Sequence, residues 1–402
     1  IKGRSWSFQL AKALSKTDNL DFLVTSYPKF FVKKYNVPAH KVKSIFFIEI
    51  LVRLLNKFDP LFYKLKLNFD ANVIADWVTD TIYSSFFIQN SDLLLLGFGN
   101  TTCKIIKKAK KKNIKTIYFL NNSSPSYRKV VKDEYDKLGL STLYSPEPKI
   151  LTKRINESIK MADYIGVLSS FQKQTYIDEG VDESKMFLSF LGVDTSVFFP
   201  KKIKKDKFIV IYVGNNFVRK GVKYLTDAFN SLKLDNSELW IVGINPRSIA
   251  ERIVKIEKNN IFIDHVSEFK LPDLYNQSSI FCLPTLEDGA GMVMLQAMSC
   301  GLPVISTKYS IAPDVITEGE EGFIVEPSNS KSNYWLNSIK LRNKKERDLF
   351  LHETNSKGVT TRPIWTLMNK LNMFKGFQCV DLANAELLQQ QVVNLPSSMI
   401  IR

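Results

Sequence analysis

An arginine and a lysine sit side by side ahead of a helical stretch, in the turn Gly214-Asn215-Asn216-Phe217-Val218-Arg219-Lys220-Gly221 that follows the apolar run 208–213. A guanidinium, an ammonium and a helix N-terminus gathered in one place suit a diphosphate. A second turn runs from Leu283 through Pro284-Thr285-Leu286-Glu287-Asp288-Gly289-Ala290-Gly291 into a helical stretch, Met292-Val293-Met294-Leu295-Gln296-Ala297-Met298. There the carboxylates of Glu287 and Asp288 can accept hydrogen bonds from sugar hydroxyls, and the amides of Gly291, Met292 and Val293 can face a phosphate. Gln296, one turn along, can reach a ribose. Each stretch alone also fits a plainer alternative. Surface Arg-Lys pairs before helices are common, and a strand-to-helix turn with an acidic cap and core-facing Met and Leu needs no ligand.

Such turns need strands that end at one edge and helices that begin there. After Pro200 the lysine-rich segment Lys201, Lys202, Lys204, Lys205 and Lys207 reads as a solvated linker. Strands are then expected at 208–213, 238–242, 261–264, 279–283 and 303–306, with helices at 221–232, 247–257, 271–276 and 292–299, the alternation of a parallel sheet. In the first half, 93–96 and 115–120 are apolar runs flanking a helical stretch at 101–112, with Gly97-Phe98-Gly99 as the turn after the first. Segments 22–25 and 164–169 read as further buried strands, the second followed by a helix at 171–179. The expected fold class is α/β, two Rossmann-like doubly wound domains facing across a cleft. A phosphate-bearing ligand in that cleft follows from the strand-end rule.

The composition excludes several classes. At 402 residues and 45% apolar content, disorder, a collagen-like chain and a single small module are out. The longest apolar stretch, 44–55, is broken by Glu49 and Arg53 and falls short of the ~18 uncharged residues of a spanning helix. Cys103, Cys282, Cys300 and Cys379 lie far apart, and the histidines are His40, His265 and His352, so neither a disulfide scaffold nor a Cys/His zinc site is expected. No Asp-x-Asp pair is present. A reducing compartment, the cytoplasm, follows.

The net charge of +16 is unevenly spread: residues 1–200 hold 30 basic against 19 acidic side chains, 201–331 hold 16 against 16, and 332–402 hold 10 against 5. The first half, with Lys33, Lys34, Lys41, Lys43 and the run from Lys104 to Lys115, favours an anionic partner. A low-GC codon bias is the compositional alternative, since Lys outnumbers Arg 45 to 11. The lysines are not interleaved with stacking aromatics, so nucleic acid is not an expected partner. The stretch 45–55, with Phe58, Leu61, Phe62, Leu65 and Leu67 among lysines, is either core or a surface resting on an anionic membrane face. The chain begins at Ile1, with Gly3 and Arg4 already leading into an amphipathic pattern, so the N-terminus reads as clipped.

Residues 208–327 resemble the nucleotide-sugar domain of retaining glycosyltransferases of family 4 (group 1), which have the GT-B fold. The resemblance rests on Arg219-Lys220-Gly221, on Glu287 to Met298, on Gly301-Leu302-Pro303-Val304-Ile305 and on Glu321-Gly322-Phe323-Ile324-Val325. Residues 3–200 are similar in Ser26-Tyr27-Pro28, Asp133-Glu134-Tyr135 and Leu191-Gly192-Val193-Asp194-Thr195. The resemblance implies that Arg219 and Lys220 neutralise a diphosphate leaving group and that Asp288, with Glu287 beside it, holds the donor sugar; these four are the catalytic set. It implies donor contacts at Gly214, Asn215, Gly243, Val266, Gly289, Gly291, Met292, Val293 and Gln296, and acceptor-side contacts at Gly3, Arg4, Ser123 and Ser124. It further implies transfer with retention, without metal or other cofactor, from a nucleotide-sugar to a glycan or lipid-linked acceptor, at the inner face of the cytoplasmic membrane.

The sequence departs from that family's pattern in three places. An E-x7-E motif reads Asp288-x7-Gln296, an expected Arg is Asn215, and an expected His after Leu120 is replaced by Asn122-Ser123-Ser124-Pro125. Hydrogen bonding to hydroxyls survives these changes better than charge does.

From Ser332 the sequence changes character. Asn333-Tyr334-Trp335-Leu336-Asn337, Thr361-Arg362-Pro363-Ile364-Trp365, Met373-Phe374 and Asn394-Leu395-Pro396-Ser397-Ser398 resemble the C-terminal end of DegT/DnrJ/EryC1/StrS sugar aminotransferases. The domains expected are therefore 1–200, 201–331 and an α+β fragment at 332–402. The lysine that binds pyridoxal phosphate in that family belongs to a part not represented, so Lys340, Lys357 and Lys370 do not take its role and the cofactor is not expected. Two other classes stand beside the transferase: an aminotransferase, supported by the tail alone, and a basic membrane-surface binding protein without chemistry.

Overall fold

The computed structural model describes residues 7–51, 53–54, 57, 71–86, 93–96, 102–244, 250–325, 337–364, 366–367, 370 and 382–395. Two compact units divide after Pro327. In the first, α1 (Ser7–Lys16) buries Phe8 and Ala11 against β1 (Leu23–Thr25) and β2 (Val42–Ser44), which pair in parallel as a small sheet. The second of these strands is not evident in the sequence, because three residues are too few to show a period.

A four-stranded parallel sheet follows, built from β3 (Leu93–Leu96), β4 (Lys115–Phe119), β5 (Tyr164–Val167) and β6 (Met186–Leu188) in that order. Its helices are α2 (Ala71–Phe86), α3 (Cys103–Lys111), α4 (Lys129–Lys137), α5 (Lys149–Met161) and α6 (Ser170–Ile177). The lysine run falls on α3, where Ile105, Ile106 and Ala109 are buried while Lys107, Lys110 and Lys111 face solvent. An amphipathic helix thus accounts for that part of the basic excess. The side chain of Thr102 does not cap α3. Asp80 of α2 does, accepting the backbone N–H of Lys104 at 2.8 Å and of Ile105 at 3.2 Å.

The larger sheet is wholly parallel. Its strands are β7 (Phe208–Val213), β8 (Ser237–Gly243), β9 (Asn260–Asp264), β10 (Ile280–Leu283), β11 (Val304–Thr307) and β12 (Gly322–Val325), with helices α7 (Val222–Leu232), α8 (Leu271–Gln277) and α9 (Met292–Ser299). The spatial order is β9-β8-β7-β10-β11-β12, so the direction of winding reverses between β7 and β10. In such a sheet the crevice beyond the strand ends opens at that reversal. The central strands are the most buried, with Val210 to Val213, Leu239, Ile241, Phe281 and Leu283 in one core, while edge strand β12 leaves Phe323 exposed.

The helix expected at 247–257 is helical at Ala250 and does not continue from 251 to 257. Side-chain amides satisfy the backbone there instead: Asn260 Oδ1 accepts the Glu257 N–H and Asn230 donates to the Lys255 carbonyl.

The second unit, 328–402, holds β13 (Asn337–Lys340), β14 (Arg362–Pro363) and β15 (Val392–Leu395) as an antiparallel sheet in the order β13-β15-β14, with α10 (Lys344–Ser356) and α11 (Ala383–Gln391). Trp335, Trp365, Phe374 and Phe377 lie outside the described residues. Among the described residues no helix is long and apolar enough to cross a membrane.

Candidate functional site

The turns after β7 and β10 meet because their strands are neighbours at the reversal. Gly221 makes the meeting close: its φ is +74°, and a Cβ there would lie 2.0 Å from the carbonyl oxygen of Pro284. The Arg219 carbonyl accepts the Leu286 N–H at 2.9 Å, while Asn216 Oδ1 takes the Arg219 N–H at 3.0 Å. So fastened, Arg219 Nη1 donates to both the carbonyl and Oε2 of Glu287, each at 3.0 Å, and Lys220 Nζ contacts Asp288 Oδ2. The four residues of the expected catalytic set are therefore two ion pairs side by side.

These pairs are withdrawn from water. Glu287 is 1% exposed and Lys220 8%. Burial, joined by the neighbouring Arg219 charge, holds the Lys220 ammonium well below its ordinary range, and the Glu287 carboxylate works against that shift. For Glu287 itself burial pushes upward, but the Arg219 charge and the Ser123 N–H outweigh it and the carboxyl stays below its usual range.

The first domain closes directly onto this cluster. Ser123 donates its backbone N–H to Glu287 Oε1 at 3.0 Å, and Ser169 Oγ donates to the Gly289 carbonyl at 2.8 Å. A Cβ at Gly289 would stand 2.4 Å from the Asn121 carbonyl oxygen, so only glycine admits this approach. Tyr127 and Phe171 from one side pack on Tyr309 from the other, at ring separations of 6.0 and 5.7 Å.

Beside the cluster lies a cavity of about 250 Å³ at the ends of β7, β8 and β9. Of the expected donor-binding residues, Gly214, Asn215, Gly243, Val266, Met292, Val293 and Gln296 line it; Gly289 and Gly291 do not. Gly291 is the left-handed residue that opens α9. Ser123 and Ser124 are buried and line no cavity described here. Ser124 donates its N–H to Thr175 Oγ1 at 3.1 Å, within the first domain. Gly3 and Arg4 lie outside the described residues.

Sequence reasoning missed seven lining residues: Gln9, Tyr35, Val213, Val242, His265, Glu268 and Leu271. His265 and Glu268 follow β9, and the strand-end rule that selected Val266 applies to them equally. Gln9 and Tyr35 come from the first domain, and nothing local marks them.

Residues 194–348 match the family model described as glycosyl transferases group 1, a match that continues across the change of character expected at 331. The solved structure of HepE from Anabaena in complex with UDP-glucose superposes with a TM-score of 0.54 at 12% identity, covering 89% of each chain. The fold is GT-B. The capsular polysaccharide biosynthesis glycosyltransferase CapM of Staphylococcus aureus is 31% identical over 188 residues, 44% of this chain and 48% of that one. An uncharacterized glycosyltransferase of Methanocaldococcus jannaschii is 25% identical over 359 residues, 83% of either chain. The chain spans about half the length of CapM and of several other curated relatives it matches.

Proposed function

We propose that this chain moves a sugar from a nucleoside diphosphate sugar to a lipid-linked or polysaccharide acceptor in surface glycan synthesis, with retention of configuration and without a metal. One observation carries the reading: Lys220, buried, and Arg219, partly buried, stand together at the winding reversal, next to a cavity at the strand ends. Two fixed cations there supply the charge that a departing diphosphate needs. An arriving diphosphate replaces Glu287 and Asp288 as the partner of these cations. The released carboxylates then accept hydroxyls of the sugar, and the helix opening at Met292 turns its amides toward a phosphate. Closure of the first domain through Ser123 and Ser169 excludes water, which favours transfer over hydrolysis. CapM bears the name of a capsular polysaccharide biosynthesis glycosyltransferase and HepE was solved in complex with UDP-glucose, and both fit this reading.

The acceptor belongs on the first domain, and a membrane-associated one fits its surface. Phe30 is 74% exposed and Phe46 55%, around a cavity of about 370 Å³ also lined by Tyr27, Phe31 and Ile50, with Lys29, Lys33, Lys34 and Lys43 exposed nearby. Apolar side chains ringed by lysines suit the inner, anionic face of the cytoplasmic membrane. The segment 332–402 is taken as the remnant of a sugar aminotransferase joined to the transferase, a junction that sequencing of source DNA across the codons of Lys331 and Ser332 tests. For the activity, the purified chain is incubated with UDP-, GDP- and ADP-sugars, with and without EDTA. Release of nucleoside diphosphate undiminished by EDTA is the expected result. Failure of all the donors to shift melting or to release nucleotide overturns the reading.

A further inference from the structure

The turn that carries Arg219 and Lys220 is braced from outside the cavity. Asn216 holds both cationic residues by their backbones: its Oδ1 accepts the Arg219 N–H at 3.0 Å, and its carbonyl accepts the Lys220 N–H at 2.8 Å. An amide oxygen has two lone pairs, and the second on Oδ1 takes the Tyr135 hydroxyl at 3.3 Å. Tyr135 lies on α4 of the first domain, 81 positions before Asn216, and does not line the cavity. Two further contacts seat α4 and the residues after it on the same turn. Val218, within the turn, is buried with Leu140 and Ile253, and Tyr135 packs on that group. In the first turn of α7, Tyr224 donates its hydroxyl to Glu134 Oε1 and accepts Lys137 Nζ at 2.9 Å.

The need for such a brace arises on binding. In the free protein Glu287 and Asp288 hold the side chains of Arg219 and Lys220, and a diphosphate displaces both carboxylates. The cations then keep their place through the backbone of the turn, which Asn216 fixes. Resting on the reading of Arg219 and Lys220 as the diphosphate cations, we propose that Tyr135 is a positioning residue for them, acting through Asn216. A turn left free to move would lose part of its attraction for the diphosphate to its own ordering. Because Tyr135 comes from the first domain, the phosphate-binding turn takes its working shape only with that domain in place.

The test measures by calorimetry the affinity of UDP, GDP and ADP, and of uridine, guanosine and adenosine, for the whole chain and its variants. Tyr135→Phe keeps the ring and removes the hydroxyl. It should weaken the nucleoside diphosphate that binds by about three- to tenfold, the range of one neutral hydrogen bond. The matching nucleoside, which has no phosphate to place, should bind unchanged. In the Asn216→Ala background the same change should cost nothing, because Tyr135 has lost the group it acts through. The nucleoside comparison needs Tyr135→Phe alone and decides the matter if Asn216→Ala does not fold. Undiminished diphosphate affinity in Tyr135→Phe overturns the proposal while leaving the nucleotide site standing. An equal loss for nucleoside and diphosphate, or an equal loss in both backgrounds, does the same. A wild type that binds none of the three nucleoside diphosphates overturns the reading of the site and this proposal with it.

Discussion

Ser123 hydrogen-bonds Glu287 across 3.0 Å although 164 positions separate them, and the bond uses the serine's backbone N–H and one carboxylate oxygen. The other oxygen of Glu287 holds Arg219 at 3.0 Å, so one buried carboxylate joins domain closure to the charge of the phosphate-binding turn. No change of the Ser123 side chain removes the bond, but a change of Glu287 removes both contacts. Glu287→Ala leaves a buried amide without its acceptor and a partly buried guanidinium with a carbonyl in place of its carboxylate, which should lower stability by about 2–4 kcal/mol in chemical denaturation. Nucleoside diphosphate offers Arg219 a new anion and should restore more stability to the variant than it adds to the wild type. A variant as stable as the wild type without nucleotide contradicts the shared role.

Lys220 makes the site sensitive to alkali. Its folded pKa lies well below the ordinary lysine value because of burial and Arg219. Between that lowered value and the bound one the free protein holds fewer protons at Lys220 than a complex in which a diphosphate has raised the pKa again. Binding therefore takes up a proton, and affinity falls as pH rises through this window. Calorimetry in two alkaline buffers of different ionisation enthalpy should give apparent binding enthalpies that differ in proportion. The difference should vanish in Lys220→Met, and equal enthalpies in the wild type would exclude proton uptake.

What the sequence disclosed follows from what is local. The turns 214–221 and 283–291 could be found because glycine, cations and carboxylates crowd into a few residues between apolar runs. Their meeting at the reversal of the sheet follows from the alternation of strand and helix. Features set by distant partners were hidden. The start of α3 is fixed by Asp80, more than twenty positions earlier, and the cavity wall made by Gln9 and Tyr35 belongs to helices of the other domain. Beyond Ala250 the helix expected to reach 257 gave way to side-chain amides of Asn230 and Asn260, a competition that periodicity does not register. Gln296 was visible as a substitution of charge by amide, but its hydrogen bond to Glu268 needed the fold.

The segment joining the domains has its own acid sensitivity. Asp194 is held down to about 2 by Lys12, whose Nζ lies 2.6 Å away, and by Ser196. A depressed carboxylate adds stability above its unfolded pKa near 3.8 and loses it as pH falls toward 2. The acid limb of the stability curve should therefore be shallower in Asp194→Asn than in the wild type, with the two curves converging at the acid end. Denaturation midpoints across that range check it. Parallel curves would show that Asp194 does not contribute.

Asp80 and Arg154 form a buried pair of a different kind, with Arg154 Nη2 at 2.5 Å from Oδ2 and the carboxylate also accepting two N–H groups at the start of α3. Removing the carboxylate takes the acceptor from two amides and an ion-pair partner from Arg154, and Asp80→Ala should cost about 3–5 kcal/mol. Arg154→Met is the milder change, because the two amides still hold Asp80. Burial already pushes the Asp80 carboxyl above its usual range even with Arg154 present, and loss of the cation pushes it further. A carboxyl raised in the folded state is favoured when protonated, so the stability of Arg154→Met should be greatest in mild acid and decline as pH rises through the folded pKa. Denaturation midpoints of both variants between mild acid and neutrality give the comparison. An Arg154→Met protein that gains stability over that rise would show that Asp80 is not the group left uncompensated.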